Sequence, residues 1–130
     1  MTEAHDRWIE FARLDLRAAE VMLEAGLTAQ ACFHAHQSAE KALKALIQKE
    51  SGRPAPRIHG LQELLKHLPP CQRDRMAQAV LMEMDDYYIP TRYPDAIPGS
   101  LSEGLPSHAQ AEEAVSSSRA VCQCAAEFLS

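Results

Sequence analysis

Apolar positions recur at helical spacing along most of this chain. Trp8, Phe11 (or Ala12), Ala18 (or Ala19), Met22 and Leu23 mark a first helix over about residues 2–25, with Leu14 and Val21 widening the stripe. Gly26 then supplies a stop, because glycine alone takes the left-handed cap at no steric cost. Thr28 reads as the N-cap of a second helix that continues to about residue 50. Projected at about 100° per residue, Cys32, Ala35, Ala39, Ala42, Leu43 and Leu46 gather on one side of it. Gln37, Lys41, Lys44 and Gln48 gather on the opposite side, with Glu40 beside them. The apolar side is nearly all small residues, so neighbouring helices can approach closely. That makes this helix the expected centre of the fold.

Gly52, Pro54 and Pro56 break the second helix. His59, Leu61, Leu64, Leu65 and Leu68 mark a short third helix ending at Pro69-Pro70. A fourth is expected from Pro70 or Cys71, carrying Met76, Ala79 (or Val80), Glu83, Met84 and Tyr87 on related turns. Ser107 and Gln110 have capping-box spacing and open a fifth helix. Its stripe is Ala111, Ala114, Val115, Ser118, Val121, Cys122, Ala125, Phe128 and Leu129. Residues 116–118 are all serine, which weakens helix propensity without interrupting the pattern. The fold expected is a single all-α domain over residues 1–130, a largely antiparallel bundle of about five helices.

Between the fourth and fifth helices the periodicity fails. Residues 85–98 read DDYYIPTRYPDAIP, and a loop of about 19 residues without a pattern is either functional or disordered. An Arg, a Thr, an Asp and the tyrosines packed into this stretch favour function. Arg92, flanked by Thr91 and Tyr93, can grip a phosphate or carboxylate with its guanidinium fork. It can equally clamp the loop by pairing with Asp86, Asp95 or Glu40.

Composition narrows the choice of partners. The chain has 130 residues, 46% apolar and 24% charged, with a formal charge of −5, so no general basic surface for nucleic acid is visible. No apolar run is long enough for a membrane span, and the opening MTEAHDRWIE is charged unlike a signal peptide. The expectation is a cytoplasmic protein. Cys32, Cys71, Cys122 and Cys124 form no C-x-x-C pair and read as small buried hydrophobes in a reducing compartment. No histidine pair has zinc-helix spacing, so neither a metal nor a cofactor is expected. No nucleophile elbow or glycine-rich phosphate loop is present. His59 follows a loop and precedes a leucine-rich helix, where it either caps that helix or faces a cleft.

Three stretches resemble one known family. Phe33-His34-Ala35-His36-Gln37-Ser38-Ala39-Glu40-Lys41-Ala42-Leu43-Lys44 is similar to the second-helix signature of HEPN domains, an aromatic followed by Gln-x-x-Glu-Lys-x-x-Lys. His59-Gly60-Leu61 with Leu64 resembles that family's His-x-Leu-x-x-Leu. Tyr87 to Pro94 resembles its Tyr-x-x-x-Thr-Arg-Tyr-Pro segment. Trp8 and Asp15-Leu16 also sit where the family's first helix has them. The resemblance implies a compact helical domain, commonly a homodimer, often encoded beside a minimal nucleotidyltransferase. Some members are metal-independent ribonucleases acting as toxins or in phage defence, with an Arg, four to six residues and a His joined across the dimer. Others bind nucleotides or partner proteins.

This sequence departs from the catalytic pattern. Counting from Arg92, the qualifying positions hold Ile97, Pro98 and Gly99, and none is His. Arg53 and His59 satisfy the count but lie after the second helix. The expected role is therefore a non-catalytic, dimeric module that binds a nucleotide or a nucleotidyltransferase partner in a toxin–antitoxin or defence setting. Gln37, Glu40, Lys41, Lys44, Arg92, Tyr93 and Asp95 are its expected ligand-binding residues. The alternatives are a ribonuclease toxin with a rearranged site using Arg92 and His59, acting on RNA, and a helical scaffold with no ligand.

Overall fold

The computed structural model describes residues 3–86 and 105–130. The chain forms α1 (Ala4–Glu24), α2 (Thr28–Ser51), α3 (Leu61–Leu65), α4 (Pro70–Ala79) and α5 (His108–Leu129). Residues 84–86 are helical as well, and no strand occurs among the described residues. The all-α bundle expected from the hydrophobic pattern is thus the fold observed. The stretch after residue 86, with Arg92, Tyr93 and Asp95, lies outside the described residues.

The α1–α2 turn follows directly from Gly26. At φ +79° it lets the Gly26 N–H reach Leu23 O (3.0 Å) and the Leu27 N–H reach Met22 O (2.9 Å). That paired closure is the glycine-capped helix end, and it returns α2 against α1. The N-cap of α2 falls one residue before the expected Thr28: it is Leu27, whose carbonyl accepts from the Ala31 N–H. Gly52, at φ +68°, closes the other end.

Helix α2 is the centre of the fold. It packs most extensively on α1 and next on α5, while α4 lies on α5 and α3 on α2. Ala31, Ala35, Ala39, Ala42 and Ala45 are fully buried along it. Such side chains contribute little area each. Their value is close helix approach, which lets Leu43, Leu46, Leu61, Leu64, Met76 and Met84 fill the centre. Fully burying each of those larger side chains is worth about 1.5–3 kcal/mol. Ser38 ties three helices at one point: its hydroxyl donates to Ala12 O of α1 (2.6 Å) and lies 3.1 Å from Cys122 Sγ of α5.

Two expectations need correction. The fourth helix does not continue through residue 83. It stops at Ala79, because Val80 turns extended (ψ 122°), and helical structure resumes only at residue 84. The side chain of Ser117 on α5 takes over the broken backbone, donating to Ala79 O and accepting from the Leu81 N–H (3.2 Å). Among the cysteines, Cys32, Cys122 and Cys124 are buried as expected, but Cys71 is exposed. Burial pushes the Cys32 thiol up to about 12, so it is inert.

Replacing Ser117 by Ala should cost about 1–2 kcal/mol in urea denaturation, since it strands an acceptor and a donor at the break. Ser116→Ala, at an exposed neighbour, should change the midpoint little; equal effects would refute the role of Ser117.

Candidate functional site

The second-helix signature residues do not all face solvent. Lys44 and Glu40, expected on the polar side, are 5% and 4% exposed, and His36 is fully buried. The pattern could not show this because the covering groups come from elsewhere. Trp8 of α1 and the segment leading into α3 close over that side of α2.

Glu40 is the hub. Its Oε2 accepts from Lys44 Nζ (3.0 Å) and from His59 Nδ1 (3.3 Å), while Oε1 lies 3.9 Å from His36 Nδ1. The Lys44 ammonium also sits 5.5 Å from the Trp8 ring centroid, so a carboxylate and an indole face share its burial. Trp8 is itself oriented by donating Nε1–H to Gln48 Oε1 (2.8 Å). The Glu40–Lys44 spacing was legible as a helical pair worth a few tenths of a kcal/mol on an exposed surface. Buried, the same pair answers to different energetics: each charge is costly alone and tolerable only together.

His36 extends the cluster to Asp85. Its Nε2 donates to Asp85 Oδ1 (3.0 Å), and the same carboxylate accepts from the Leu61 N–H (2.7 Å) and the Gln62 N–H (3.2 Å). Asp85 thereby caps the start of α3, a task that sequence reading allowed for His59. Burial pushes the Asp85 carboxyl up, but the hydrogen bonds from His36, Leu61 and Gln62 outweigh it and leave its pKa below the ordinary value. His59 instead holds Glu40 and is 58% exposed at its side chain.

A second, smaller cluster lies along the α1–α2 seam. Asp15 pairs with Lys41 and with His34 Nδ1 (3.3 Å), and Lys41 lies 6.0 Å from the Phe11 ring centroid. Gln37 is half-buried on the same helix. Among the described residues no group of three His, Cys, Asp or Glu side chains is arranged to hold a metal. No helix among them is long and apolar enough to cross a membrane.

A family model described as the HEPN domain matches residues 5–128. This chain belongs to the HEPN family. Two solved structures agree. TT1696 from Thermus thermophilus is 33% identical, with a TM-score of 0.74, over 97% of this chain and 98% of its own. ST0689, described as an archaeal HEPN homologue, is 26% identical with a TM-score of 0.72, over 99% and 100%. No curated protein matches this chain.

Within this HEPN domain the expected ligand-binding residues divide three ways. Glu40 and Lys44 are buried in one network, while Lys41 and Gln37 lie half-exposed on α2. Arg92, Tyr93 and Asp95 lie outside the described residues. Sequence reading missed His36 and Asp85. The one available signal was the position of Asp85 at the foot of the irregular stretch.

Two outcomes follow. Lys44→Met strands the Glu40 carboxylate and should cost about 3–5 kcal/mol, whereas the double change Glu40→Leu with Lys44→Met should recover most of that loss. A double-mutant cycle in urea that shows simple additivity would overturn the pairing. For Asp85 the folded state favours the ionised form, so its stabilisation is present above the ordinary carboxylate range, near pH 4, and is lost as pH falls through the depressed folded value. Asp85→Asn should therefore lower stability by about 1.5–3 kcal/mol at pH 7, with the gap from wild type shrinking toward pH 3. A gap that persists undiminished there would contradict the role of the charge.

Proposed function

We propose that this HEPN-domain protein is a non-catalytic binding module that works as a homodimer and holds a nucleotide beside α2. The observation that carries this reading is the anchoring of Asp85. The carboxylate at the foot of the 85–98 stretch is fixed to His36 of α2 and to the α3 backbone. The last described residues ahead of the Thr-Arg-Tyr-Pro segment therefore lie at the polar cluster. Of the two signature lysines on α2, Lys41 is the one with access to solvent, at 29% side-chain exposure, and Arg92 adds a bidentate anion grip. Tyr93 supplies a ring for stacking on a base. The departure from the Arg–His motif, with Ile97, Pro98 and Gly99 at the qualifying positions, supports binding over cleavage.

A minimal nucleotidyltransferase is the protein partner this reading favours, in a toxin–antitoxin or defence setting, because such an enzyme uses nucleotides and HEPN proteins are often encoded beside one.

One observation favours a second reading, RNA cleavage. A buried carboxylate, Glu40, holds His59 through Nδ1, and the imidazole is more than half exposed. A carboxylate fixed in this way orients a histidine for proton transfer. Arg92 would then steady the phosphate. Overexpression that halts growth and degrades RNA, relieved by His59→Ala, would favour cleavage over binding alone.

Calorimetry against a panel of nucleotides tests the first reading. Arg92→Ala should weaken binding by about tenfold or more, the worth of one charged hydrogen-bonded contact, with the melting temperature unchanged. Lys41→Ala should weaken it less, because Asp15 already holds that ammonium. A protein that binds no nucleotide in the panel and no nucleotidyltransferase partner would sink the proposal.

A further inference from the structure

Trp8, which covers Lys44, also lines a groove between α1, the end of α2 and the loop that follows. Phe11, Gln48, Pro54 and Ala55 line it with Trp8, and its volume is about 430 Å³. Ala4 and Arg7 complete the lining. Small-molecule sites occupy about 300–1,000 Å³, so the groove is large enough for one small ligand. Its walls are fixed by the protein itself. Gly52, at φ +68°, turns the chain out of α2, and the Arg53 N–H then donates to Ser51 Oγ (3.1 Å). Pro54, next in the chain, fixes its own φ through its ring. Trp8 is held by its Nε1–H bond to Gln48 Oε1 (2.8 Å) and by the Lys44 ammonium, 5.5 Å from its ring centroid. Walls ordered in this way lose little freedom when a ligand binds.

The polar side chains of the groove all donate. An indole N–H can only donate, so Gln48 turns its carbonyl toward Trp8 and has its amide N–H₂ left to offer. Arg7 is exposed, and among the described residues it enters no ion pair. Among the described residues no carboxylate lines the groove. Lys41 lies 6.0 Å from the Phe11 ring centroid, but Asp15 already holds it. The spare positive charge within the lining is that of Arg7.

We infer that this groove binds a small aromatic carboxylate, its ring against Trp8, Phe11 and Pro54 and its acid group on Arg7, with the Gln48 amide as a further donor. Three features select that chemistry. The flat faces of two aromatic rings and a proline suit a planar body better than a flexible chain, because rings stack with an offset. Side-chain donors without side-chain acceptors suit an anion, and they disfavour an amine, which would meet Arg7 with like charge. One guanidinium matches a carboxylate through two parallel hydrogen bonds, whereas a phosphate ester carries more negative charge than one guanidinium offsets. The site also gives a use to Phe11, a large ring left 53% exposed. It is separate from the proposed nucleotide contacts, since it uses none of Lys41, Arg92 and Tyr93.

Trp8 is the only tryptophan in the chain, so its fluorescence reports on this groove. Phenylacetate added to the full chain should change that emission saturably, with a dissociation constant of about one millimolar or tighter, as expected of a fragment-sized ligand. Arg7→Gln should weaken binding about tenfold or more by removing the charged contact. Phe11→Ala should weaken it about threefold to tenfold through lost stacking. Both positions are exposed, so circular dichroism should stay unchanged. Arg13→Gln removes an exposed charge of the same helix outside the groove, and should leave binding within about twofold. Phenethylamine and acetate should give no saturable change. Phenyl phosphate that binds more tightly than phenylacetate overturns the carboxylate and assigns a phosphate ester instead. Phenethylamine that binds as well as phenylacetate, or Arg13→Gln that loses as much as Arg7→Gln, overturns the role of Arg7. A titration with phenylacetate that never saturates overturns the site, while nucleotide calorimetry reads the proposed function separately.

Discussion

The Glu40–Lys44 pair constrains more of this structure than any other contact. Both charges lie on the central helix, and both are almost entirely buried. A single charge placed there would destabilise the domain by several kcal/mol. The chain meets that cost with groups from separate elements: the Trp8 ring from α1, His59 from the segment before α3, and His36 from the same helix. Each of these has further obligations. Trp8 is fixed by Gln48, and His36 hands the network on to Asp85, which in turn caps α3. The five-residue helix and the foot of the irregular stretch are held by Asp85 and by His36, which lies next to that ion pair on the same helix. An apolar replacement of similar size can match such a pair in energy, but it would remove the carboxylate that holds His59 ahead of α3.

Alanine spacing is the second constraint, and it works with the first. Ala31, Ala35, Ala39, Ala42 and Ala45 draw α1 and α5 close to α2. With neighbours this near, the flanks of α2 are covered as well as its apolar face. Lys44, on the side away from the alanine stripe, is covered by the Trp8 ring of α1 and, through Glu40, by His59 ahead of α3.

This explains what was legible in the sequence and what was not. Local signals were readable: Gly26 as a stop, the capping box at Ser107 and Gln110, and the helical stripes that give an all-α bundle. Each depends on residues a few positions apart. The burial of Lys44 was not readable, because a projection of α2 alone cannot say what covers its flank. The break at Val80 is held by Ser117, which lies 38 positions from Ala79, and the His36–Asp85 bond spans 49 positions. Contacts of that kind have no periodicity to betray them. Glu40, Lys41 and Lys44 were singled out by motif and spacing, while the link between their helix and residue 85 was set by the fold.

Charge balance also bears on the proposed anion binding. The two clusters on α2 contain three carboxylates, Asp15, Glu40 and Asp85, against two ammonium groups, Lys41 and Lys44. Lys44 is buried against Glu40, and Lys41 is engaged by Asp15. A phosphate meeting these residues alone would find no surplus positive charge, and drawing Lys41 away would leave Asp15 with only His34. The proposed binding therefore calls for a further cation, and the 85–98 stretch contains Arg92. Arginine suits that task better than lysine, because its planar fork gives two parallel hydrogen bonds to one phosphate. The anchored Asp85 matters for the same reason. Its own charge is spent internally, on His36 and the α3 backbone.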